Sequence, residues 1–213
     1  MLKLYKSIPK QPFYVAVSGG IDSMVLSHFI LNGPYAKFAR FIHVYHGTEH
    51  AKQAILFVNE WARSANISLS VATISEEQPK GASKEEFWRN ERYRIFSNLN
   101  KPVLLGHHLN DAVETWMFSA INGTPSLIPY AHRNCIRPLL LSSKQDIKEY
   151  AEAKSLKWIN DPSNDDVSYA RNRIRNNIMP EVLKVNPGIE KVIRKKLLRR
   201  MQEESNPSDL LLA

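Results

Sequence analysis

Apolar positions along the chain follow two alternating rhythms. Pro12–Val17 (PFYVAV), Phe38–His46 (FARFIHVYH), Ile67–Ile74 (ISLSVATI) and Pro102–His108 (PVLLGHH) are short apolar or alternating runs and predict strands. Between them, Asp22–Leu31, Thr48–Arg63, Lys84–Leu99 and Asn110–Ile121 predict helices. The first ends at Asn32-Gly33-Pro34, a strong stop signal. The second carries Phe57 and Trp61 on its apolar side, and the third is rich in charge. On the fourth, Val113, Trp116, Met117, Ala120 and Ile121 form one apolar stripe at helical spacing. The turn-rich stretch NGTPSLIPYAHRN follows, then a short extended piece, IRPLLL, and a helix over Ser143–Lys154. WINDPSNDD reads as an irregular loop, and about Tyr169–Glu204 as helical with a break near Asn186-Pro187-Gly188.

Buried runs such as VAV and VLL alternating with helices of ten or more residues predict an α/β fold. The expected architecture is a doubly wound, mostly parallel five-stranded sheet with helices on both faces and a C-terminal helical extension. The expected division is a catalytic domain over residues 1–185 and a basic helical extension and tail over 186–213. The final ESNPSDLLLA reads as poorly ordered, and the sequence has no internal repeat.

Composition adds further constraints. Hydrophobic residues make up 43% and charged residues 23% of the 213, values of a globular chain. No apolar run reaches the roughly 20 residues of a membrane span. The opening MLKLYKSIPKQPFYVAV has no small-residue cleavage site and reads as a tail entering a strand. Cys135 is the one cysteine, which excludes a disulfide framework or Cys-rich metal site in this sequence and suits a reducing cytoplasm. The formal charge of +8 fits either a polyanionic partner, most plausibly nucleic acid, or a merely basic surface. YARNRIRNNIMP and KVIRKKLLRR gather many of the cations late in the chain, which favours the partner.

The candidate chemistry begins where the first strand ends. Ser18-Gly19-Gly20-Ile21-Asp22-Ser23 joins an apolar strand to an apolar helix. In a parallel sheet that junction lies at the ligand-binding edge. Glycines let main-chain N–H groups converge on an anion, and the helix start adds unpaired donors. Ser18 and Ser23 offer hydroxyls. A phosphate or pyrophosphate is the expected guest. The sequence has neither a G-x-x-x-x-G-K-[ST] loop nor a G-x-G-x-x-G fingerprint here. Asp22 brings negative charge to such a site, and a Mg²⁺ ion between it and the phosphates would resolve that.

SGGIDS resembles the SGGxDS loop of the PP-loop ATP pyrophosphatases, whose adenine nucleotide alpha-hydrolase-like fold grips the pyrophosphate of ATP while a substrate is adenylated. That loop alone does not choose among GMP synthetase, asparagine synthetase, tRNA thiolases and tRNA lysidine synthetase. Three further stretches resemble the tRNA(Ile)-lysidine synthetase family. GHHLNDAVET matches its AHHxDDQxET pattern at His107, His108, Asp111, Glu114 and Thr115, with Asn110 and Ala112 as departures. Arg137-Pro138-Leu139-Leu140, Asp161-Pro162-Ser163-Asn164 and Arg171-Asn172-Arg173-Ile174-Arg175 match its RPLL, DPSN and RNRIR elements. SKEEFWRNERYRIF matches E-x-x-A-R-x-x-R-Y at Glu85, Arg89, Arg92 and Tyr93, with Trp88 where alanine is usual. HVYHGTEHA is loosely similar to HVNHGLR through His46 and Gly47. The resemblance runs from about Tyr14 to Pro187 and reads as a catalytic-domain-only short form.

The resemblance implies a cytoplasmic ligase that joins L-lysine to C2 of the wobble cytidine of a tRNA(Ile) with a CAU anticodon, consuming ATP with Mg²⁺. Ser18 to Ser23 and His107 would bind ATP, with a magnesium near Asp22. Asp111, with Glu114 beside it, would bind the lysine ammonium and accept its proton. Arg89, Arg92, Arg171, Asn172 and Arg175 would hold tRNA or adenylate phosphate. Arg171 and Arg175 share a helical face and Arg173 points away. A homodimer is compatible with the sequence. Three alternatives stay open: a tRNA thiolase on the same scaffold, an amidotransferase-type synthetase, and a tRNA-binding protein that has lost catalysis.

Overall fold

The computed structural model describes residues 2, 4–6, 8–81, 83–162, 166–167 and 169–204. The expected disorder of the tail and the matches at Ser163 and Asn164 lie outside the described residues. Six strands form one sheet: β1 (Phe13–Ala16), β2 (Ala39–Tyr45), β3 (Leu69–Thr73), β4 (Val103–Leu104), β5 (Ala131–His132) and β6 (Cys135–Ile136). Their order is β3-β2-β1-β4-β6-β5. All pairings are parallel except β5 with β6. The expected sheet had five strands. The sixth is β5, an arm of two residues turned at Arg133, which takes a left-handed φ of 54°. So short an arm carries no periodicity to read.

Side chains of the central strands alternate between two layers, as the pleat requires. Phe13, Val15, Val17, Phe41 and Leu104 face one core with Met24, Leu26, Val58 and Ile147. Ile42, Val44, Val103, Leu105 and Cys135 face the other, with Phe96 and, less buried, Phe87 and Trp88. The first layer holds α1 (Ile21–Leu31), α2 (Glu49–Ser64) and α5 (Lys144–Ala153); the second holds α3 (Lys84–Asn98). Thr48 accepts the Ala51 N–H, Ser83 that of Glu86 and Ser143 that of Asp146, so these helices start behind side-chain caps.

A third core joins α4 (Leu109–Ile121) to α8 (Ile189–Glu203). Ile189, Ile193, Leu197 and Met201 recur every fourth residue and pack with Leu109, Ala112 and Val113. Before α8 the chain forms α6 (Ala170–Arg173), a π-helical turn over Ile174–Ile178, and α7 (Met179–Val185). Pro180 lacks an N–H and its ring would crowd the carbonyl four residues back, which accounts for the widened turn just before it. Among the described residues no helix is long and apolar enough to cross a membrane.

Candidate active site

The strand order reverses between β1 and β4: the chain runs outward to β2 and β3 on one side and to β6 on the other. At such a switch point the loops after the two strands part and leave a crevice. Here those loops are Ser18–Gly20 and Gly106–His108. Gly106 lies against the first turn of α1, where a Cβ would lie 3.0 Å from both the carbonyl carbon and oxygen of Asp22 and 3.2 Å from Ser23 N. The crevice opens into a cavity of about 290 Å³. Ala16, Val17, Ile42, Val44, Phe96 and Leu105 give it apolar walls; Ser18, Asp22, His46, Arg89, Arg92, His107 and Asp111 give it polar ones.

The glycine loop is braced from within. Ser23 Oγ donates to Gly20 O at 2.8 Å and accepts from Ser18 N and Ser18 Oγ, both at 3.1 Å. Both hydroxyls therefore hold the loop's shape rather than standing free, and the donors left for an anion are main-chain ones. Met24 N–H is the first to find an intrahelical acceptor, Gly20 O at 3.0 Å. The N–H groups of Ile21, Asp22 and Ser23 have no intrahelical acceptor. The two glycines differ. Gly19 has a φ of +91°, and a Cβ there would meet Ile159 at 3.2 Å and Val58 at 3.3 Å. Gly20 lies in ordinary extended backbone, and its added Cβ would meet Ser18 Oγ alone, at 3.6 Å. The chain just before Asp161 closes on this turn, where Ile159 N donates to Gly19 O at 3.0 Å.

A line of charged and polar groups crosses the mouth. Lys144 Nζ, on the first residue of α5, is 2.5 Å from Asp22 Oδ1. His108 Nε2 lies 3.5 Å from that same oxygen and 3.6 Å from Asp111 Oδ2. Asp111 also accepts the His108 N–H at 2.8 Å. Arg175 makes a two-point contact with Glu114, both bonds at 2.7 Å, and reaches Asp111 Oδ1 at 3.7 Å. Burial pushes the Asp111 carboxyl up, but His108, His107, the His108 N–H and Arg175 outweigh it and hold its pKa below the usual carboxylate range. The Arg175 pKa is raised, chiefly by its hydrogen bond to Glu114. Burial lowers His107 to about 3 and His46 to about 4, so both imidazoles are neutral at physiological pH. Burial, and then the charge of Arg89, also lower Arg92, a desolvated cation suited to an anion.

Asp111 lines the main cavity, whereas Glu114 lines a second one of about 180 Å³ with Asn110, Val113, Arg175, Met179, Pro180, Leu183 and Glu190. The two carboxylates expected side by side thus face adjoining spaces, joined by the Arg175 guanidinium. Arg171 pairs with Glu85 at 3.1 Å and Asn172 donates to the Asp166 carbonyl. Arg173 bonds the Val167 carbonyl. Ile21 packs its side chain against the first core and leaves its N–H to the loop. Sequence reasoning overlooked Lys144 and did not carry forward His108. Only the fold brings the start of α5 to Asp22, 122 residues away in sequence. The departure at Asn110 has a structural reason: its Oδ1 accepts the Lys144 N–H at 2.9 Å and its Nδ2 donates to Glu190 at 2.8 Å. An aspartate there could accept but not donate, and would face a second carboxylate.

Sheet order, glycine loop and switch-point cavity define a doubly wound nucleotide-binding protein. The chain belongs to the PP-loop domain family, whose model matches residues 1–182. It is 34% identical over 200 residues to the tRNA(Ile)-lysidine synthase of Lactiplantibacillus plantarum, covering 86% of this chain and 44% of that one. It is 33% identical over 203 residues to the tRNA(Ile)-lysidine synthase of Pseudomonas putida, covering 85% and 46%. The chain thus spans about half the length of these relatives. Among solved structures, it is similar in fold to a U34-tRNA thiolase from Methanococcus maripaludis, with a TM-score of 0.70 at 18% identity over 90% of this chain and 72% of that one. An NH3-dependent NAD synthetase from Campylobacter jejuni gives 0.53 at 12% identity over 95% and 90%.

Proposed function

We propose that the chain is an ATP-dependent ligase that attaches lysine to C2 of the wobble cytidine in the CAU anticodon of tRNA(Ile). The observation that carries the reading is the charged line from Lys144 to Glu114, with an anion-binding loop at one end and cation-binding acids at the other. The names of the relatives point the same way. The cytosine O2 attacks the α-phosphorus of ATP, the bond to the β-phosphate breaks, and pyrophosphate leaves onto the loop amides, where charge builds. The lysine ε-amine then attacks C2 and AMP departs with the former O2. Asp111 holds the incoming ammonium and takes up its proton, while Glu114, in the adjoining space, holds Arg175. Arg89 and Arg92 hold phosphate, and Arg175 exchanges its carboxylate contacts for phosphate as substrate enters.

Asp22 suits Mg²⁺ of the kind bound by one carboxylate and substrate phosphates. Among the described residues no cluster of three His, Cys, Asp or Glu offers a full protein cage. Such an ion would neutralise phosphate charge. Radiolabelled lysine entering a CAU-anticodon tRNA(Ile) with ATP and magnesium tests the whole reading. Binding of that tRNA without AMP release at any lysine concentration would replace it with a non-catalytic role.

The glycine pair separates fold from ligand. Gly19→Ala is expected to cost about 1–3 kcal/mol of stability from its backbone conformation. Gly20→Ala is expected to be neutral or stabilising by about 0.4–1 kcal/mol, yet to weaken ATP binding by adding a methyl group to the loop whose amides would meet the phosphates. Denaturant unfolding and equilibrium ATP binding check both. Stability loss at Gly20 with ATP affinity intact would reverse the assignment. Cys135 is fully buried and does not line the cavity. Cys135→Ser is therefore expected to leave lysine incorporation unchanged, and its loss would favour sulfur transfer.

A further inference from the structure

Trp88 has no role in the chemistry above, and its position calls for one. Glu85, Trp88, Arg89, Arg92 and Phe96 fall on one stripe of α3, spaced three and four apart. The inner members, Arg89, Arg92 and Phe96, line the cavity. Trp88 is one turn closer to the helix start than Arg92, which puts it at the rim. Its ring meets His46, a cavity-lining residue, edge-on at 5.5 Å and 78°. It is half-buried and packed against the second core, so the indole is held in place. Lys84, exposed, places its Nζ 4.7 Å from the ring centroid. A fixed aromatic ring at a cavity mouth, with the Lys84 ammonium over the ring and the cavity-lining Arg89 and Arg92 one step further in, is the composition of a stacking platform for a nucleotide.

We propose that Trp88 stacks against a base of the RNA as it enters the cavity, while Lys84 and Arg92 take the phosphates on either side of that base. This rests on the RNA-modifying reading above. A nucleobase is the shared chemistry of RNA and ATP, and placement favours the RNA. The apolar walls Ala16, Ile42, Val44 and Leu105 line the cavity itself beside the glycine loop, next to where a triphosphate would be held, whereas Trp88 packs in the same layer but outside that lining. A base that must be splayed from a loop to react gains its lost stacking partner back from an indole.

The test is equilibrium binding of a CAU anticodon stem-loop RNA, and separately of ATP, to the wild-type chain and to W88F, W88L and W88A. W88L and W88A are expected to weaken RNA binding by roughly 5- to 150-fold, with W88F retaining most of it and ATP affinity unchanged throughout. W88L keeps apolar volume, and thermal unfolding of each variant shows whether packing has been lost. Equal RNA affinity in W88L and W88F would overturn the platform while leaving the proposed reaction standing. A fall in ATP affinity alone would assign the ring to adenine and overturn it as stated. Wild-type protein that fails to bind the stem-loop would overturn both the platform and the RNA reading.

Discussion

Asp111→Asn is expected to cut lysine attachment by about 10²- to 10⁴-fold while AMP transfer to the tRNA continues. The asymmetry follows from where the carboxylate sits. Asp111 lines the main cavity and is touched by His108 and Arg175, whereas the glycine loop that would hold the leaving pyrophosphate is braced by its own serines. Asparagine keeps the shape and can still accept the His108 N–H, so α4 keeps its start. What it loses is the charge that attracts an ammonium whose pKa in water is about 10.4. The lowered pKa of Asp111 sharpens the expectation. A carboxylate stabilised in its charged form holds a cation well and takes the proton only as the amine attacks, so the loss should fall on lysine KM as well as on kcat. Label from α-phosphate-labelled ATP measures the first half-reaction and labelled lysine the second. Equal loss in both, or in neither, would remove Asp111 from the amine step.

The sheet was legible because its central strands bury both faces, and runs such as Val15-Ala16-Val17 and Val103-Leu104-Leu105 have no other economical reading. β5 was not, since two residues hold no period. The helical stretch near Arg175 read as uninterrupted, yet Pro180 widens it into a π turn. The glycine loop and the Asp111 motif were visible as local patterns. Lys144 and His108 were hidden for opposite reasons. Lys144 acts on Asp22 through a contact that only the packing of α5 on α1 creates. His108 looked like the end of a strand, but β4 stops at Leu104 and the histidine becomes the residue that enters α4. Asn110 read only as a departure from the family pattern, whereas its amide ties the first residue of α5 to α8. Contacts across elements, not residue types, decided each of these.

Asp22→Ala is expected to lower AMP transfer by roughly 10²- to 10³-fold, the scale of losing one preorganised electrostatic group at a developing charge. Its carboxylate is already occupied, by Lys144 at 2.5 Å, with His108 Nε2 3.5 Å away. Any metal ion brought in with the phosphates must therefore share or displace the lysine. That competition makes the two residues separable. Lys144→Ala frees the Asp22 oxygen and should lower the magnesium concentration needed for half-maximal AMP transfer, even as it weakens the hold on phosphate. Asp22→Ala should raise that concentration and leave Lys144 an unpaired cation facing the loop, so ATP binding without magnesium should persist or tighten. Magnesium titrations of AMP transfer, run beside metal-free ATP binding for both variants, read the two effects independently. Wild-type AMP transfer in the Asp22 variant would mean that the phosphate site lies elsewhere in the crevice. Identical magnesium curves for wild type and the Lys144 variant would mean that the lysine merely neutralises Asp22 and does not compete with the ion for it.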